Sequence, residues 1–163
     1  EIYTLSLHDA LPICGGGAFS NFDAGFLENV AMNGALEHLD FVSFHTYAPP
    51  PGVETAVRQY REWLSKNNEI SMPLWLTEAG RPWPRGLSRP KIKADSVSAL
   101  DISMQAVVAK ACGVGRHFAF IFGFYNENSN NFGMMGQEKT PLRSMAAYAN
   151  TVQIGRASCR ERV

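Results

Sequence analysis

The alternation of apolar and polar positions along the chain predicts a regular succession of helices and strands. In FSNFDAGFLENVAMNG, residues 19–34, apolar side chains recur at helical spacing and Asn33-Gly34 supplies a stop, which predicts a first helix. LDFVSFHTYAPP has the aromatic and branched composition of a strand and is ended by prolines. Apolar residues three and four apart then predict a second helix over residues 53–67.

The second half of the chain continues this alternation. MPLWLTEAGRPWPRG predicts a short strand, residues 74–77, that runs into a loop rich in proline, glycine and tryptophan. A long helix over residues 95–112 follows, and HFAFIFGFY, residues 117–125, predicts one strand buried on both faces. After a polar loop, Thr140 can cap and Pro141 can start a last helix that runs through Tyr148.

Helices and strands that alternate in this way imply parallel strands joined by helical crossovers. Gly15 to Gly17 fit the end of one further strand that precedes the first helix. The sequence therefore predicts an α/β fold, in which polar side chains gather where the carboxyl ends of the strands meet at one mouth.

The two ends of the chain differ from the segment between them. One short DNA that encodes residues 1–13 gives, on its antisense strand read one base out of frame, the ten residues 154–163. That DNA resembles a sequencing-library adapter, so we expect residues 1–14 and 153–163 to be adapter-derived tails with their junctions. The natural segment is then residues 15–152, one structural unit of a longer gene.

Composition narrows the classes of function. The 163 residues include 15 Lys and Arg against 15 Asp and Glu, and 45% are hydrophobic, which is typical of a globular protein without a basic surface for nucleic acid or anionic membranes. The longest apolar run, around residues 118–122, is too short to span a bilayer. Cys14 and Cys159 belong to the tails and Cys112 stands alone, so neither a disulfide framework nor a zinc site is predicted. The cellular compartment stays unknown.

Polar side chains end three of the predicted strands. The first strand ends in His45 and Tyr47, the second in Glu78, and the third in Tyr125 and Glu127. Because the carboxyl ends of parallel strands converge, a carboxylate, an imidazole and a phenol are expected to meet at one rim.

The same alternation assigns side chains to faces of the strands. It puts Glu78 on the face of Leu74 and Leu76, and it puts Ser43 beside His45 and Tyr47.

Each candidate has an ordinary structural alternative. Glu78 could be a helix cap or an ion-pair partner, and His45 a satisfied core residue. Trp83, between two prolines, is either a hydrophobic lid on its loop or a platform on which a sugar ring stacks. Glu127, among asparagines, is either a solvated loop residue or a ligand contact. Phe124 and Tyr125 approach the mouth, whereas Phe118, Phe120 and Phe122 are expected in the core.

DFVSFHTYAPP, PLWLTEAG, HFAFIFGFYNE and TPLRSMAAYA together resemble the C-terminal half of retaining glycoside hydrolases of the large clan built on the (β/α)8 TIM barrel. The resemblance covers nearly all of residues 15–152. It implies a partial barrel, about strands five to eight with their helices, from which an N-terminal half of the same barrel is missing.

The resemblance also implies roles. The nucleophilic Glu that ends the seventh strand in this clan matches Glu78, and a His-x-Tyr element on the sixth matches His45 and Tyr47. The eighth strand commonly ends in an aromatic residue under the sugar, usually Trp; here the candidates are Phe124 and Tyr125, which departs from the pattern. The acid/base Glu ends the fourth strand and lies upstream of this segment, so the chain alone is expected to be inactive. A retaining glycosidase needs no cofactor.

Two other classes remain open. One is a non-catalytic barrel that binds carbohydrate and lacks the second carboxylate. The other is a metal-dependent, sugar isomerase-like barrel in which His45 and Glu78 would be ligands, although such sites usually take three or four His, Asp or Glu side chains.

Overall fold

The structure of the chain, a computed structural model, describes residues 13–160, with the backbone alone over residues 155–160. Residues 1–12 and 161–163, which belong to the predicted tails, lie outside the described part. In chain order the elements are β1 (Gly15–Phe19), α1 (Ala24–Met32), a 3-10 turn (Ala35–His38), β2 (Phe41–Thr46), α2 (Pro50–Lys66), β3 (Leu74–Ala79), β4 (Trp83–Pro84), α3 (Ile92–Ala111), β5 (Arg116–Ala119), β6 (Tyr125–Glu127), β7 (Asn130–Phe132) and α4 (Arg143–Arg160).

Four parallel strands form the main sheet, in the order β1-β2-β3-β5, and a helix connects each strand to the next. This confirms the predicted α/β fold and the strand expected at Gly15 to Gly17. Helical crossovers between neighbouring parallel strands are the repeating unit of a (β/α)8 barrel. The carboxyl ends of the strands therefore lie at one edge of the sheet.

The core lies between one face of this sheet and the helices. On β2 and β3 the residues facing the helices are completely buried: Val42, Phe44, Leu74 and Leu76. Helix α2 begins with prolines, which fit the first turn because they lack the N–H that would be unpaired there. Its buried residues recur at helical spacing and meet the sheet: Val53, Val57, Tyr60, Trp63 and Leu64.

Helix α1 begins five residues later than predicted. The carboxylate of Asp23 accepts a hydrogen bond from the Phe26 amide at 3.0 Å, and this cap fixes the start at Ala24. Phe19 belongs to β1 instead of the helix. At the other end Gly34, with φ of 73°, adopts the left-handed conformation that the Asn33-Gly34 stop predicts.

The prediction of one buried strand over residues 117–125 is wrong. β5 ends at Ala119, and the chain turns before Tyr125 starts β6 in a separate antiparallel sheet, ordered β4-β7-β6. Phe118 is 45% exposed and Phe122 is 59% exposed, so these two side chains are not in the core. Apolar character alone does not distinguish a doubly buried strand from a strand followed by an aromatic loop.

The polar segment after Glu127 is also more ordered than predicted. β6 and β7 form a hairpin, and β7 pairs with β4 from the loop after β3. The last helix begins at Arg143, not near Thr140, because Pro141 forms a bridge with Met135 and the amide of Arg143 donates to Asp95 of α3 at 3.2 Å. α4 continues to Arg160, through part of the predicted C-terminal tail.

The opposite face of the sheet surrounds a depression of about 630 Å³. Phe41 and Trp75 stack there with ring centroids 3.7 Å apart, and Ser43 and Phe118 lie beside them. In a complete barrel this is the inward face of the strands. We call it the inner depression.

None of the helices in the described range is both long enough and apolar enough to cross a bilayer.

Candidate active site

A bulge in β3 places the central carboxylate of the site. Phe44 pairs with Leu76 and His45 pairs with Glu78, so β3 carries one extra residue, Thr77, between these pairs. As a result Thr77 and Glu78 both line the inner depression, while Leu76 points to the helices. The prediction that Glu78 shares the face of Leu74 and Leu76 is therefore wrong, because the bulge resets the alternation of faces.

The structure brings together the three side chains expected at the rim. The hydroxyl of Tyr47 donates a hydrogen bond to Oε2 of Glu78 at 2.7 Å, and Nδ1 of His45 lies 3.4 Å from the same oxygen. The Glu78 side chain is 29% exposed and that of His45 is 16% exposed. A partly desolvated carboxylate that remains open on one side can attack or bind a ligand from the inner depression.

Tyr47 is a protonated hydrogen-bond donor at neutral pH. Burial, the hydrogen bond to Glu78 and the nearby charges of Glu78 and Glu127 raise the pKa of Tyr47 well above its ordinary range. Its ring is held between Phe120 and Phe132, at centroid distances of 6.2 Å and 5.3 Å. The aromatic contacts and the hydrogen bond to Glu78 thus fix the position of the phenol.

Phe120 is a site residue that the sequence analysis assigned to the core. It follows β5 directly, and its amide donates to the carbonyl of Ala79 at 2.7 Å. Gly80 permits this contact, because a Cβ there would lie 2.8 Å from the Phe120 carbonyl oxygen. Phe120 is thus the aromatic residue that directly follows β5, while the predicted contact of Phe124 or Tyr125 with a sugar stays a prediction. Gly80 after Glu78 was the signal for a close approach, and the backbone that approaches is that of Phe120.

Trp83 and Phe124 pack against each other away from the carboxylate. Trp83 is 4% exposed, its indole N–H donates to the carbonyl of Leu87 at 3.1 Å, and its ring centroid lies 6.1 Å from that of Phe124. Phe124 lines a separate depression of about 180 Å³ with Arg85 and Asn131. This geometry favours the hydrophobic-lid alternative for Trp83 over a sugar platform, because its ring is covered by the loop.

Tyr125 and Glu127 stay at the rim. Tyr125 is 42% exposed and contacts Phe120 edge-on at 5.7 Å, while Glu127 is exposed on β6 and is close enough for its charge to act on Tyr47. Neither side chain lines the inner depression, and their predicted contact with a ligand stays a prediction.

Gln105 of α3 supports the loop that carries Tyr47. It is 1% exposed, and its amide N–H donates to the carbonyl of Ala48 at 2.7 Å. Sequence analysis did not single it out, since a lone glutamine in a long helix gives no signal of a contact to a distant loop.

Among the side chains that the structure describes, those of residues 13–154, no three His, Cys, Asp or Glu lie close enough together to hold a metal ion. His45 and Glu78 are the two side chains that the isomerase-like alternative requires, and their contact is with each other.

Comparisons with known proteins identify the fold. No protein-family model matches the chain, and no curated protein matches it by sequence. Among solved structures, a glucosidase from Croceicoccus marinus superposes with a TM-score of 0.61 and 18% identity, over 87% of this chain and 31% of that protein.

Two further structures give the same picture. A GH39 β-xylosidase from Caulobacter crescentus matches with a TM-score of 0.54 and 21% identity, over 83% of this chain and 31% of that one. A GH128 endo-β-1,3-glucanase from Amycolatopsis mediterranei matches with a TM-score of 0.53 and 19% identity, over 85% and 57%. The chain has the fold of part of a glycoside hydrolase barrel, and it spans less than two thirds of each of these proteins.

Proposed function

We propose that this chain is the C-terminal half of a retaining glycoside hydrolase and that Glu78 is its nucleophile. The observation that carries the proposal is the carboxylate itself: Glu78 stands at the carboxyl end of a parallel strand, faces the inner depression, and accepts a hydrogen bond from Tyr47 at 2.7 Å. The fold that this chain shares with glycosidases supports carbohydrate as the substrate class.

In this proposal Glu78 attacks the anomeric carbon and displaces the leaving oxygen, which a second carboxyl group about 5 Å away protonates. Water then attacks the glycosyl-enzyme ester, gives its proton to that second group and releases the sugar. Tyr47 orients the attacking oxygen. His45 contacts the same oxygen of Glu78 and can donate to a sugar hydroxyl when it turns toward the depression.

The second carboxyl group is supplied by the N-terminal half of the barrel, on its fourth strand. The chain by itself then hydrolyses no aryl glycoside, because one member of the catalytic pair is missing. Joined to the half encoded upstream in its gene, it becomes active.

The test is made in that joined barrel by the change Glu78→Gly. Hydrolysis of an aryl glycoside is expected to be lost, because no nucleophile remains, and added azide is expected to restore turnover by attacking the anomeric carbon directly. The product is a glycosyl azide of inverted configuration, identified by NMR. Glu127→Gly, at the same rim, is the matched control and yields no azide product.

Two results would contradict the proposal. If Glu78→Gly leaves turnover nearly unchanged, another residue is the nucleophile. If the joined barrel binds oligosaccharide and turns over none, the non-catalytic alternative holds.

A further inference from the structure

A second depression adjoins the Glu78 site. It has a volume of about 480 Å³, within the range of small-molecule sites, which is about 300–1,000 Å³. One wall is a face of α2 that includes Ala56 and Gln59, and the other is the loop after β1, with Asn21 and Phe22. His45 lines both this depression and the inner one, so the two lie next to each other at this side chain. We call the second depression the side cleft.

The walls of the side cleft carry neutral groups that both donate and accept hydrogen bonds. Side-chain amides come from Asn21 and Gln59, and hydroxyls from Ser20, Thr46 and Thr55. Asn21 and Gln59 are exposed, and within the described residues neither side chain makes a hydrogen bond to protein. These amides are free to bind a ligand that has hydroxyl groups.

Electrostatics disfavours a charged ligand there. No lysine, arginine, aspartate or glutamate is among the described residues that line the side cleft. The start of α2 offers little to an anion either: Pro50 and Pro51 have no N–H, and the amide of Gly52 donates to the carbonyl of Pro49 at 2.8 Å. Apart from the imidazole of His45, which contacts Glu78, these walls hold no group that could pair the charge of a buried phosphate or carboxylate.

Phe22 adds an apolar surface to these polar walls. It is half-buried and is held edge-on by Tyr60 at a centroid distance of 5.2 Å. An aromatic ring beside free amides and hydroxyls matches the two kinds of surface on a pyranose, whose faces are apolar and whose edges carry hydroxyls.

From this geometry we propose that the side cleft binds a neutral, unsubstituted sugar unit of an oligosaccharide whose neighbouring unit is held at Glu78. The inference rests on the proposed function for the site of cleavage, and it adds the substrate class: a neutral oligosaccharide or polysaccharide, as opposed to a single glycoside or an acidic glycan.

The experiment is a binding titration of the full chain, labelled with ¹⁵N, against the neutral sugars cellotetraose, laminaritetraose and xylotetraose and the acidic sugar trigalacturonic acid. At least one neutral tetrasaccharide is expected to shift the amide signals of residues 20–22 and 52–60, and the acidic sugar to shift none. Ala56→Trp, which fills the cleft, is expected to weaken this binding about tenfold or more.

Gln59→Ala, at an exposed position, is a second variant that removes one amide without filling the cleft and is expected to weaken binding several-fold. Arg58→Ala is the matched control and is expected to leave binding unchanged. Arg58 directly precedes Gln59 in α2 and does not line the cleft. Thermal unfolding of each variant reports whether it is folded.

Three results would overturn the inference: no shift with any neutral tetrasaccharide up to its solubility, equal shifts with the acidic sugar, or binding that a folded Gln59→Ala protein retains in full. The titration does not depend on a nucleophile. If no sugar binds but azide rescues Glu78→Gly, the inference about the side cleft is wrong and the proposed function still holds. If a neutral sugar binds but azide does not rescue Glu78→Gly, the proposed function is wrong and the inference about the side cleft still holds.

Discussion

Among single residues, Tyr47 does most to organise the candidate site. Its ring lies between Phe120 and Phe132, and its hydroxyl fixes one oxygen of Glu78. A hydrogen bond to a charged group contributes about 1.5–3 kcal/mol when the groups are partly buried. This hydrogen bond also fixes the direction in which the Glu78 carboxylate faces.

We therefore expect Tyr47→Phe, in the joined barrel, to lower kcat for an aryl glycoside by about 10- to 100-fold, because the carboxylate loses the donor that orients it. The melting temperature should change little, since the ring and its packing remain. Tyr125→Phe is the matched control; its ring contacts Phe120 on the same rim and its hydroxyl does not bond Glu78 in the structure. A loss of less than twofold in Tyr47→Phe would show that His45 alone orients Glu78.

The contact among His45, Tyr47 and Glu78 could be predicted from the sequence because it depends only on two parallel strands ending at the same edge. The face occupied by Glu78 could not. Thr77 is an ordinary strand residue, and nothing in LWLTEAG marks it as the extra residue of a bulge, which the register of the neighbouring strands decides. Trp83 was ambiguous for a similar reason, since its strand pairs with the distant hairpin of residues 125–132.

At the scale of elements, the loops after β3 and β5 form one unit. β4 pairs with β7, and the side-chain amide of Asn131 donates to the carbonyls of Pro84 and Leu87 at 3.2 Å and 2.9 Å. Asn131 is 2% exposed. Its two bonds tie the proline-rich loop to the hairpin that carries Tyr125 and Glu127.

Asn131→Ala is expected to destabilise this unit by about 2 kcal/mol, because it removes both of these hydrogen bonds, although the Leu87 carbonyl keeps the indole N–H of Trp83 as a donor. The measurement is amide hydrogen exchange: residues 83–88 and 125–132 should exchange faster, while β2 and β3 stay protected. Asn126→Ala, at an exposed position in the same hairpin, is the control. Uniformly faster exchange across the sheet as well would mean that Asn131 stabilises the whole molecule rather than the two loops.

The sequence did not reveal this unit. NENSNNFG has the composition of a solvated loop, and the strand pairs in it depend on contact with β4, which is only two residues long. Long helices and the buried strands β2 and β3 were predictable because their own hydrophobic periodicity specifies them. Short elements stabilised by a distant partner lack such a local signal.

Across the whole molecule, a partly buried His links the sheet to the last helix. His117 on β5 lies 3.2 Å from the Tyr148 hydroxyl through Nδ1, and that hydroxyl donates to the His117 carbonyl at 3.0 Å. Burial lowers the pKa of His117 to about 4, an effect that its own backbone hydrogen bond partly opposes. His117 is therefore neutral in the folded chain at neutral pH.

A group whose pKa is lower in the folded state stabilises the fold fully above its unfolded pKa, about 6.5, and loses that contribution as pH falls toward 4. We expect the free energy of unfolding to fall by about 2–3 kcal/mol between pH 7 and pH 4 on account of His117. Urea unfolding at several pH values measures this. In His117→Gln that part of the slope should vanish, whereas His38→Gln, at an exposed position, should keep it; equal slopes in all three proteins would contradict the assignment.

The extra residue in β3 also determines how far along the strand axis the carboxylate of Glu78 lies. If Thr77 were removed, Glu78 would still face inward by simple alternation, but it would stand about 3.3 Å further down the strand, the rise of one residue. The Tyr47 hydroxyl, now 2.7 Å from the carboxylate, would no longer reach it. The number of residues at the end of β3 thus determines how far along the strand Glu78 lies. It does not change the positions of Leu74 and Leu76, which pack against the helices.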